Sequence, residues 1–124
     1  MHRAIGIVML ANAALFVFGA VQHAGLSLGP FHEPLIIPAS IVESLCALAL
    51  IWGAVSVLGD SRIAFVAAVS ANLIPIAGVI VGMVALGLGR GPRTWTNDMY
   101  HRVMLSLSGA ALVLIIIGRK AFSH

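Results

Sequence analysis

Residues 38–58 read PASIVESLCALALIWGAVSVL, an apolar run that contains a single charged residue, Glu43. A helix needs about 20 apolar residues to cross the hydrocarbon core of a bilayer. Pro38 suits a first helical turn, where the amide hydrogen that proline lacks is not needed. The run therefore predicts a membrane-spanning helix with one acidic position inside it.

Three further apolar runs of similar length lie at about residues 3–26, 62–86 and 97–118. Apolar residues make up 60% of the chain and charged residues 9%, whereas soluble domains carry roughly 25% charged residues. The four runs and their connections take up nearly all of the 124 residues. We therefore predict one all-α domain over residues 1–124, an integral membrane four-helix bundle surrounded by the lipid bilayer.

The connections between the runs are short and rich in residues that stop helices. Residues 28–34 contain two prolines and a glycine, residues 59–61 contain Gly59, and residues 87–96 are rich in glycine, proline and arginine. Thr96, Asn97 and Asp98 all favour the N-cap position and predict the start of the fourth helix. Short connections predict up-down-up-down topology.

The positive charges near the first span predict an orientation. Arg3 precedes this span, and the loop after it has no lysine or arginine. Because positively charged residues favour the cytoplasmic side, we expect a multi-pass protein of the cell membrane with both termini in the cytoplasm. Residues 4–21 are longer than the roughly 7–15 residues of a signal-peptide core, which predicts a retained span.

Charge and cysteine content exclude two classes of protein. The seven lysines and arginines are scattered at span ends, whereas a nucleic-acid surface needs a basic patch or stripe. The single cysteine, Cys46, excludes an internal disulfide framework. Cys46 also has no evident activating base, so nucleophilic catalysis is poorly indicated. Whether the protein is an enzyme is left open.

Three polar residues on different helices are predicted to lie at the same depth. His23 is near the end of span one, Glu43 is near the start of span two, and His101 is near the start of span four. At 1.5 Å per residue, each lies on the order of 5–8 Å below the outer membrane surface. We expect a ligand site there, with Asp98, Tyr100 and Arg102 nearby. An acid within a span costs about 2.5–3.5 kcal/mol, so Glu43 should be paired, hydrated or functional.

This polar group allows two main interpretations. Glu43, His101 and Arg102 could form a structural clasp between helices two and four, with Asp98 as a helix cap and His23 reaching to the interface. Alternatively, the polar residues could line a pocket for a quinone, a lipid headgroup or another small ligand, since bundle cores are common ligand sites.

Two further interpretations rest on weaker patterns. His23, Glu43 and His101 would suit zinc or iron, and the two histidines could be axial haem ligands, although no ligand-spacing motif is present. Asn12 and Asn72, near mid-membrane, could serve transport with Glu43 as a proton relay. None of these patterns specifies a cofactor.

Gly78 and Gly82 form a G-x-x-x-G pair, which lets two helices approach closely in a membrane. We expect this pair to pack inside the bundle, with a homodimer interface as the alternative. A chain with so few loop residues could also be a subunit of a larger membrane complex.

Three segments carry a resemblance: PASIVE at 38–43, GRGPR at 89–93 and NDMYHR at 97–102. Through them the chain resembles small four-helix membrane proteins of bacteria over most of its length. It is more distantly similar to DoxX-like proteins, some of which are linked to quinone-coupled sulfur oxidation. The resemblance implies the four-helix fold and transfers no catalytic residue.

Overall fold

The computed structural model describes residues 2–122, and its regular structure is helical. Four long α-helices are followed by a short 3₁₀ helix: α1 (His2–His23), α2 (Ile37–Leu58), α3 (Ala64–Gly87), α4 (Trp95–Ile117) and the 3₁₀ helix Arg119–Phe122. The predicted all-α, four-helix architecture is confirmed. All four α-helices are long and apolar enough to cross a membrane.

The first three helices end in the same hydrogen-bonded turn. After α1, Leu26 N donates to Val21 O and Gly25 N donates to Gln22 O, while Gly25 has a φ of 86°. The same two-bond pattern surrounds Asp60 (φ 54°) after α2 and Gly89 (φ 71°) after α3. This is the Schellman motif, which satisfies the last helical carbonyls. Because Gly25 turns the chain, α1 ends three residues before the predicted position 26.

Helix α4 begins at Trp95, two residues before the predicted start at position 97. Thr94 is the N-cap, because its backbone is extended and its Oγ1 accepts a hydrogen bond from Asn97 N at 3.0 Å. The expectation that Asp98 caps this helix was therefore wrong. Asp98 Oδ2 instead accepts a hydrogen bond from Arg93 Nε at 2.8 Å.

Each helix packs against the next one along the chain, and α4 also touches α1. The start of α1 lies against the end of α2, where Gly6 contacts Leu58. The end of α1 meets the start of α2, because Ser40 Oγ donates to Ala20 O at 2.8 Å. Between α4 and α1, Asn12 Nδ2 donates to Ser108 Oγ at 3.0 Å.

The interior of the bundle combines large apolar side chains such as Phe16 and Leu50 with small and polar ones, and many large apolar side chains also face outwards. Alanines 64, 67, 68 and 71 bury one face of α3, which lets its neighbours approach closely. Asn12, Asn72 and Ser108 are also buried. On the outer surface, Leu48 and Val66 are each 63% exposed. A soluble domain exposes few contiguous large apolar side chains, so this outer surface suits a lipid environment.

Candidate ligand site

A buried imidazole–carboxylate pair lies where α1 ends and α2 begins. His23 Nδ1 and Glu43 Oε2 are 2.8 Å apart, and the two residues are 2% and 5% exposed. With Glu43 ionised, the carboxylate can only accept, so Nδ1 donates. The turn after α1 brings the pair together, because Ile36 N at the start of α2 donates to the carbonyl of His23 itself.

A cavity of about 190 Å³ adjoins this pair, and we call it the large cavity. All four helices contribute to its wall. Most of the wall is apolar, and its polar side chains include His23, Glu43, Asn97, Tyr100 and His101, with Arg90 from the connection between α3 and α4. An apolar chamber with a few convergent polar groups is the usual form of a small-molecule site.

Gly19 makes room for the polar end of the large cavity. A Cβ atom at this position would overlap the Tyr100 hydroxyl and would lie 2.8 Å from Glu43 Oε1. The Tyr100 hydroxyl donates a long bond of 3.4 Å to Leu15 O. The Tyr100 hydroxyl and Glu43 Oε1 therefore both approach the backbone of α1 at Gly19.

His101 presents one ring nitrogen to the cavity wall. Its Nδ1 lies 2.8 Å from Asn97 O, and because a carbonyl only accepts, Nδ1 carries the hydrogen. The other nitrogen, Nε2, is directed towards α3, where a Cβ at Gly82 would lie 3.1 Å from it. A neutral His101 therefore offers an acceptor at Nε2.

Three buried polar atoms around this site have no hydrogen-bond partner among residues 2–122: His23 Nε2, Glu43 Oε1 and Asn97 Oδ1. Leaving a buried polar group unsatisfied costs about 1–3 kcal/mol, and such groups are uncommon in folded proteins. Two more such atoms, Asn12 Oδ1 and Asn72 Oδ1, lie elsewhere on α1 and α3. Three of these five atoms thus lie around this cavity, which makes it the candidate site.

A second, smaller cavity of about 40 Å³ is also lined by His23. Its wall comes from α1, α4 and the connection between α1 and α2. It is lined by Phe18, Gly19, Gln22, His23, Phe31, Glu33, Thr96, Asn97 and Tyr100. His23, Asn97 and Tyr100 line both cavities, so the two cavities adjoin each other.

The two connections at this end of the bundle are tied together. Thr94 Oγ1 lies 2.9 and 3.1 Å from the two carboxylate oxygens of Glu33, to which it donates. The same Thr94 oxygen caps α4. Glu33 thus anchors the α1–α2 connection to the start of α4, directly above the small cavity.

The structure brings together only part of the predicted group. His23 and Glu43 are in contact, and Tyr100 and His101 line the same cavity. Arg102 is exposed, and among the described residues no ion pair joins it to Glu43, so the predicted α2–α4 clasp through Arg102 was wrong. The physical reason is that adjacent helical residues are rotated by about 100°, so His101 and Arg102 cannot face the same way.

Gly78 and Gly82 face neighbouring helices of the bundle. A Cβ at Gly78 would lie 3.0 Å from Cys46 Sγ on α2, and Gly82 faces His101 on α4.

For the metal interpretation, residues 2–122 contain no cluster of three or more histidine, cysteine, aspartate or glutamate side chains that could hold an ion. His23, Glu43 and His101 therefore do not form a three-ligand set.

Sequence reasoning missed Asn97 as a site residue and did not pair Glu33 with Thr94. Asn97 lies four residues before His101, which is the helical spacing for one shared face, so its position was detectable. The Glu33–Thr94 contact joins residues 61 positions apart through two irregular connections, and no local pattern indicates it.

The fold and site define a bundle of four apolar helices with a buried carboxylate–imidazole pair beside a cavity. Comparison of the chain with protein-family models, with curated proteins and with solved structures gives no match. The resemblance to DoxX-like and other small bacterial four-helix proteins therefore stays a prediction.

Proposed function

We propose that this chain is an integral membrane protein that binds a small, hydroxyl-bearing ring in the large cavity. The four helices would cross the cell membrane up-down-up-down, with both termini cytoplasmic and the site near the outer face. Membrane insertion is supported by the exposed apolar surface, which would cost about 25 cal/mol for each Å² left in water.

The size of the large cavity favours one ring over a bulkier ligand. An apolar cavity of about 150 Å³ accepts a benzene molecule. The volume of about 190 Å³ therefore suits a six-membered ring with a few small substituents. A haem, or a lipid with its chains inside the cavity, exceeds this volume.

The polar end of the cavity favours a ligand that donates hydrogen bonds, and this observation carries the proposal. Glu43 Oε1 and Asn97 Oδ1 are buried acceptors without partners, and a neutral His101 adds an acceptor at Nε2. A ring with hydroxyl groups, such as a hydroquinone or another phenol, supplies donors to these atoms. The oxidised quinone has only acceptors and would leave them unsatisfied.

A side opening gives a route for an apolar tail. Val42 on α2 and Val81 on α3 both line the large cavity, and both are exposed on the outer surface of the bundle, at 38% and 65%. A ring held by Glu43 could therefore extend its tail between these helices into lipid. The proposed ligand class is thus a membrane-soluble hydroquinone or related phenol.

The test measures binding of a short-tailed hydroquinone, kept reduced, to the protein in lipid nanodiscs by calorimetry. Glu43→Gln replaces the charged acceptor with a neutral group of similar shape. Hydrogen bonds to charged groups contribute about 1.5–3 kcal/mol, so affinity should fall roughly 10- to 100-fold. Glu33→Gln is the matched control, because Glu33 does not line the large cavity, and it should leave affinity unchanged.

A structural role for the pair is the second candidate, because the buried His23–Glu43 bond joins α1 to α2. Under this interpretation Glu43→Gln would destabilise the bundle strongly, and no hydroxylated ring would bind to the parent protein. Equal affinity of the parent and Glu43→Gln for the hydroquinone would also contradict the proposed function. A subunit role or a homodimer remains compatible with either candidate.

A further inference from the structure

We propose that the ligand of the large cavity carries a carboxylate on its ring, and that Arg90 binds this anionic group where the cavity meets the helix connections. The inference rests on the proposed function and deepens it, because it narrows the ligand class from phenols in general to phenolic acids. The two proposals are tested with different ligands.

Arg90 is the one lysine or arginine among the residues that line the large cavity. It lies in the α3–α4 connection and is exposed. Its backbone is fixed on the end of α3, because Arg90 N donates to Ala85 O at 2.9 Å, and Ala85 also lines the cavity. Arg90 therefore holds a defined position beside the cavity.

The end of the cavity beside Arg90 is formed by the ends of two helices, and we call it the mouth. Its wall includes Ile36 and Pro38 at the start of α2, and Leu86 and Gly91 at the end of α3 and just beyond it. A Cβ at Gly91 would lie 3.3 Å from Leu86 Cδ2, so the connection folds back against α3. This contact keeps the segment that carries Arg90 over the mouth.

The mouth and the hydrogen-bond acceptors of the site are at different depths. Gly82, which faces His101 Nε2, lies one and a half turns before Gly87, the last residue of α3. At 1.5 Å per residue this separation is about 8 Å along the helix axis. One end of a ligand ring can therefore face the acceptors while the other end faces Arg90.

Arg90 has no counter-charge within the part of the chain that the structure describes. Three of the four side-chain carboxylates bond to other residues, namely Glu43 to His23, Asp98 to Arg93 and Glu33 to Thr94. The fourth, Asp60, lies in the α2–α3 connection at the opposite end of the bundle. Among residues 2–122, no carboxylate forms an ion pair with Arg90.

A carboxylate suits Arg90 and does not suit the deeper part of the cavity. The planar guanidinium group presents several N–H donors and can bond to both carboxylate oxygens at once. Glu43 Oε1 and Asn97 Oδ1, by contrast, are acceptors that disfavour an anion. A charged group deep in a bilayer is also costly. The ligand's hydroxyl group therefore binds near Glu43 and its carboxylate binds at the mouth, so the two ends of the cavity orient the ring.

The experiment measures binding of two ligands to the full chain in nanodiscs by calorimetry, with binding to empty nanodiscs subtracted. One ligand is para-hydroxybenzoic acid with a short alkyl tail, ionised at neutral pH, and the other is its uncharged methyl ester. The parent protein should bind the acid roughly three- to tenfold more tightly than the ester. A bidentate ion pair with arginine is strong, but exposure to water weakens it.

Three variants test whether this preference comes from Arg90. Arg90→Gln should remove the preference for the acid and leave the affinity for the ester unchanged. Arg102→Gln is the matched control, because it removes the same charge from an exposed residue that does not line the cavity, and it should keep the preference. Arg90→Lys should keep part of it, because lysine retains the charge without the planar group.

Equal affinity of the parent protein for the acid and the ester would overturn the inference. A preference that survives Arg90→Gln, or that is lost equally in Arg102→Gln, would also overturn it. Hydroquinone binding to the parent protein separates the two proposals. If hydroquinone binds and the acid is not preferred, only the anionic group is rejected. If the acid binds through Arg90 while hydroquinone and the ester do not bind, the proposed hydroxyl site is rejected and the anion site at Arg90 stands.

Discussion

The polar end of the large cavity depends on one residue that has no side chain. Gly19 on α1 lies against the Tyr100 hydroxyl and Glu43 Oε1, and a methyl group there would overlap the hydroxyl. We predict that Gly19→Ala lowers the free energy of unfolding by about 1–3 kcal/mol, because a well-packed site resists added atoms. Denaturant titration of the purified protein in mild detergent, followed by circular dichroism, measures this change.

Gly109 on α4 provides the matched control for that substitution. It is also within a helix, but a Cβ there meets no atom within 4 Å. Gly109→Ala should therefore leave stability unchanged or raise it by up to about 1 kcal/mol, the intrinsic preference of a helix for alanine. If Gly19→Ala and Gly109→Ala lower the free energy of unfolding equally, the effect at Gly19 does not come from crowding at the site.

At the residue scale, the sequence indicates the importance of Glu43 but not its full surroundings. A lone acid in an apolar run is detectable because its insertion is costly, and depth along the helices indicates His23 as a neighbour. The rotation of α4 about its axis is set by packing with α3 and α1, so the sequence could not distinguish an inward His101 from an inward Arg102. The three partnerless polar atoms at the candidate site depend on side-chain rotamers, so only the structure could show them.

At the scale of single helices, the packing of α3 depends on close approach at Gly78. A Cβ at this position would lie 3.0 Å from Cys46 Sγ and 3.1 Å from Val42 Cγ1. Gly78→Ala should therefore push α2 and α3 apart and lower stability by about 1 kcal/mol or more. Removing the sulfur with Cys46→Ala makes room for the added methyl group. The double variant should therefore lose less stability than the two single variants lose in sum.

A double-mutant cycle in the same detergent titration measures this coupling. Residues in contact show coupling free energies of about 0.5–3 kcal/mol. Gly87→Ala is the control within α3, because a Cβ at Gly87 meets no atom within 4 Å, and it should not couple to Cys46→Ala. Strict additivity of Gly78→Ala and Cys46→Ala would show that this contact does not limit the α2–α3 distance.

The number and type of helices could be predicted because each span is a long apolar run, but their ends were less certain. Residues 24–26 read AGL, so composition alone extends α1 beyond His23. The structure ends it there because Gly25 adopts a positive φ and closes a Schellman turn. At the start of α4, several neighbouring residues favour the cap position, and Thr94 is used because it also bonds to Glu33.

At the scale of the whole molecule, the apolar surface and the buried polar groups are both compatible with a multi-pass membrane protein. Composition already indicates this, because 60% of the residues are apolar and 9% are charged. A pocket beside Glu43 was one of the interpretations of the sequence, but the number and volumes of the cavities were not predictable, since they depend on how bulky and small residues of four different helices meet. Both cavities lie at the end of the bundle that carries the α1–α2 and α3–α4 connections. The orientation of the helices in the membrane would therefore decide whether the candidate site lies near the outer or the cytoplasmic face.

Cysteine labelling in sealed vesicles tests that topology. Cys46 is the only cysteine, so Cys46→Ala gives a background without thiols, into which one cysteine is introduced at His32, Arg62 or Pro92. These exposed positions lie in the three connections between helices. A membrane-impermeant maleimide should label positions 32 and 92 from the outer side and position 62 only after permeabilisation, because each span reverses the side of the next connection. The opposite labelling pattern would indicate four spans in the reversed orientation, with the candidate ligand site near the cytoplasmic face. Labelling of all three positions from one side would contradict a four-span protein.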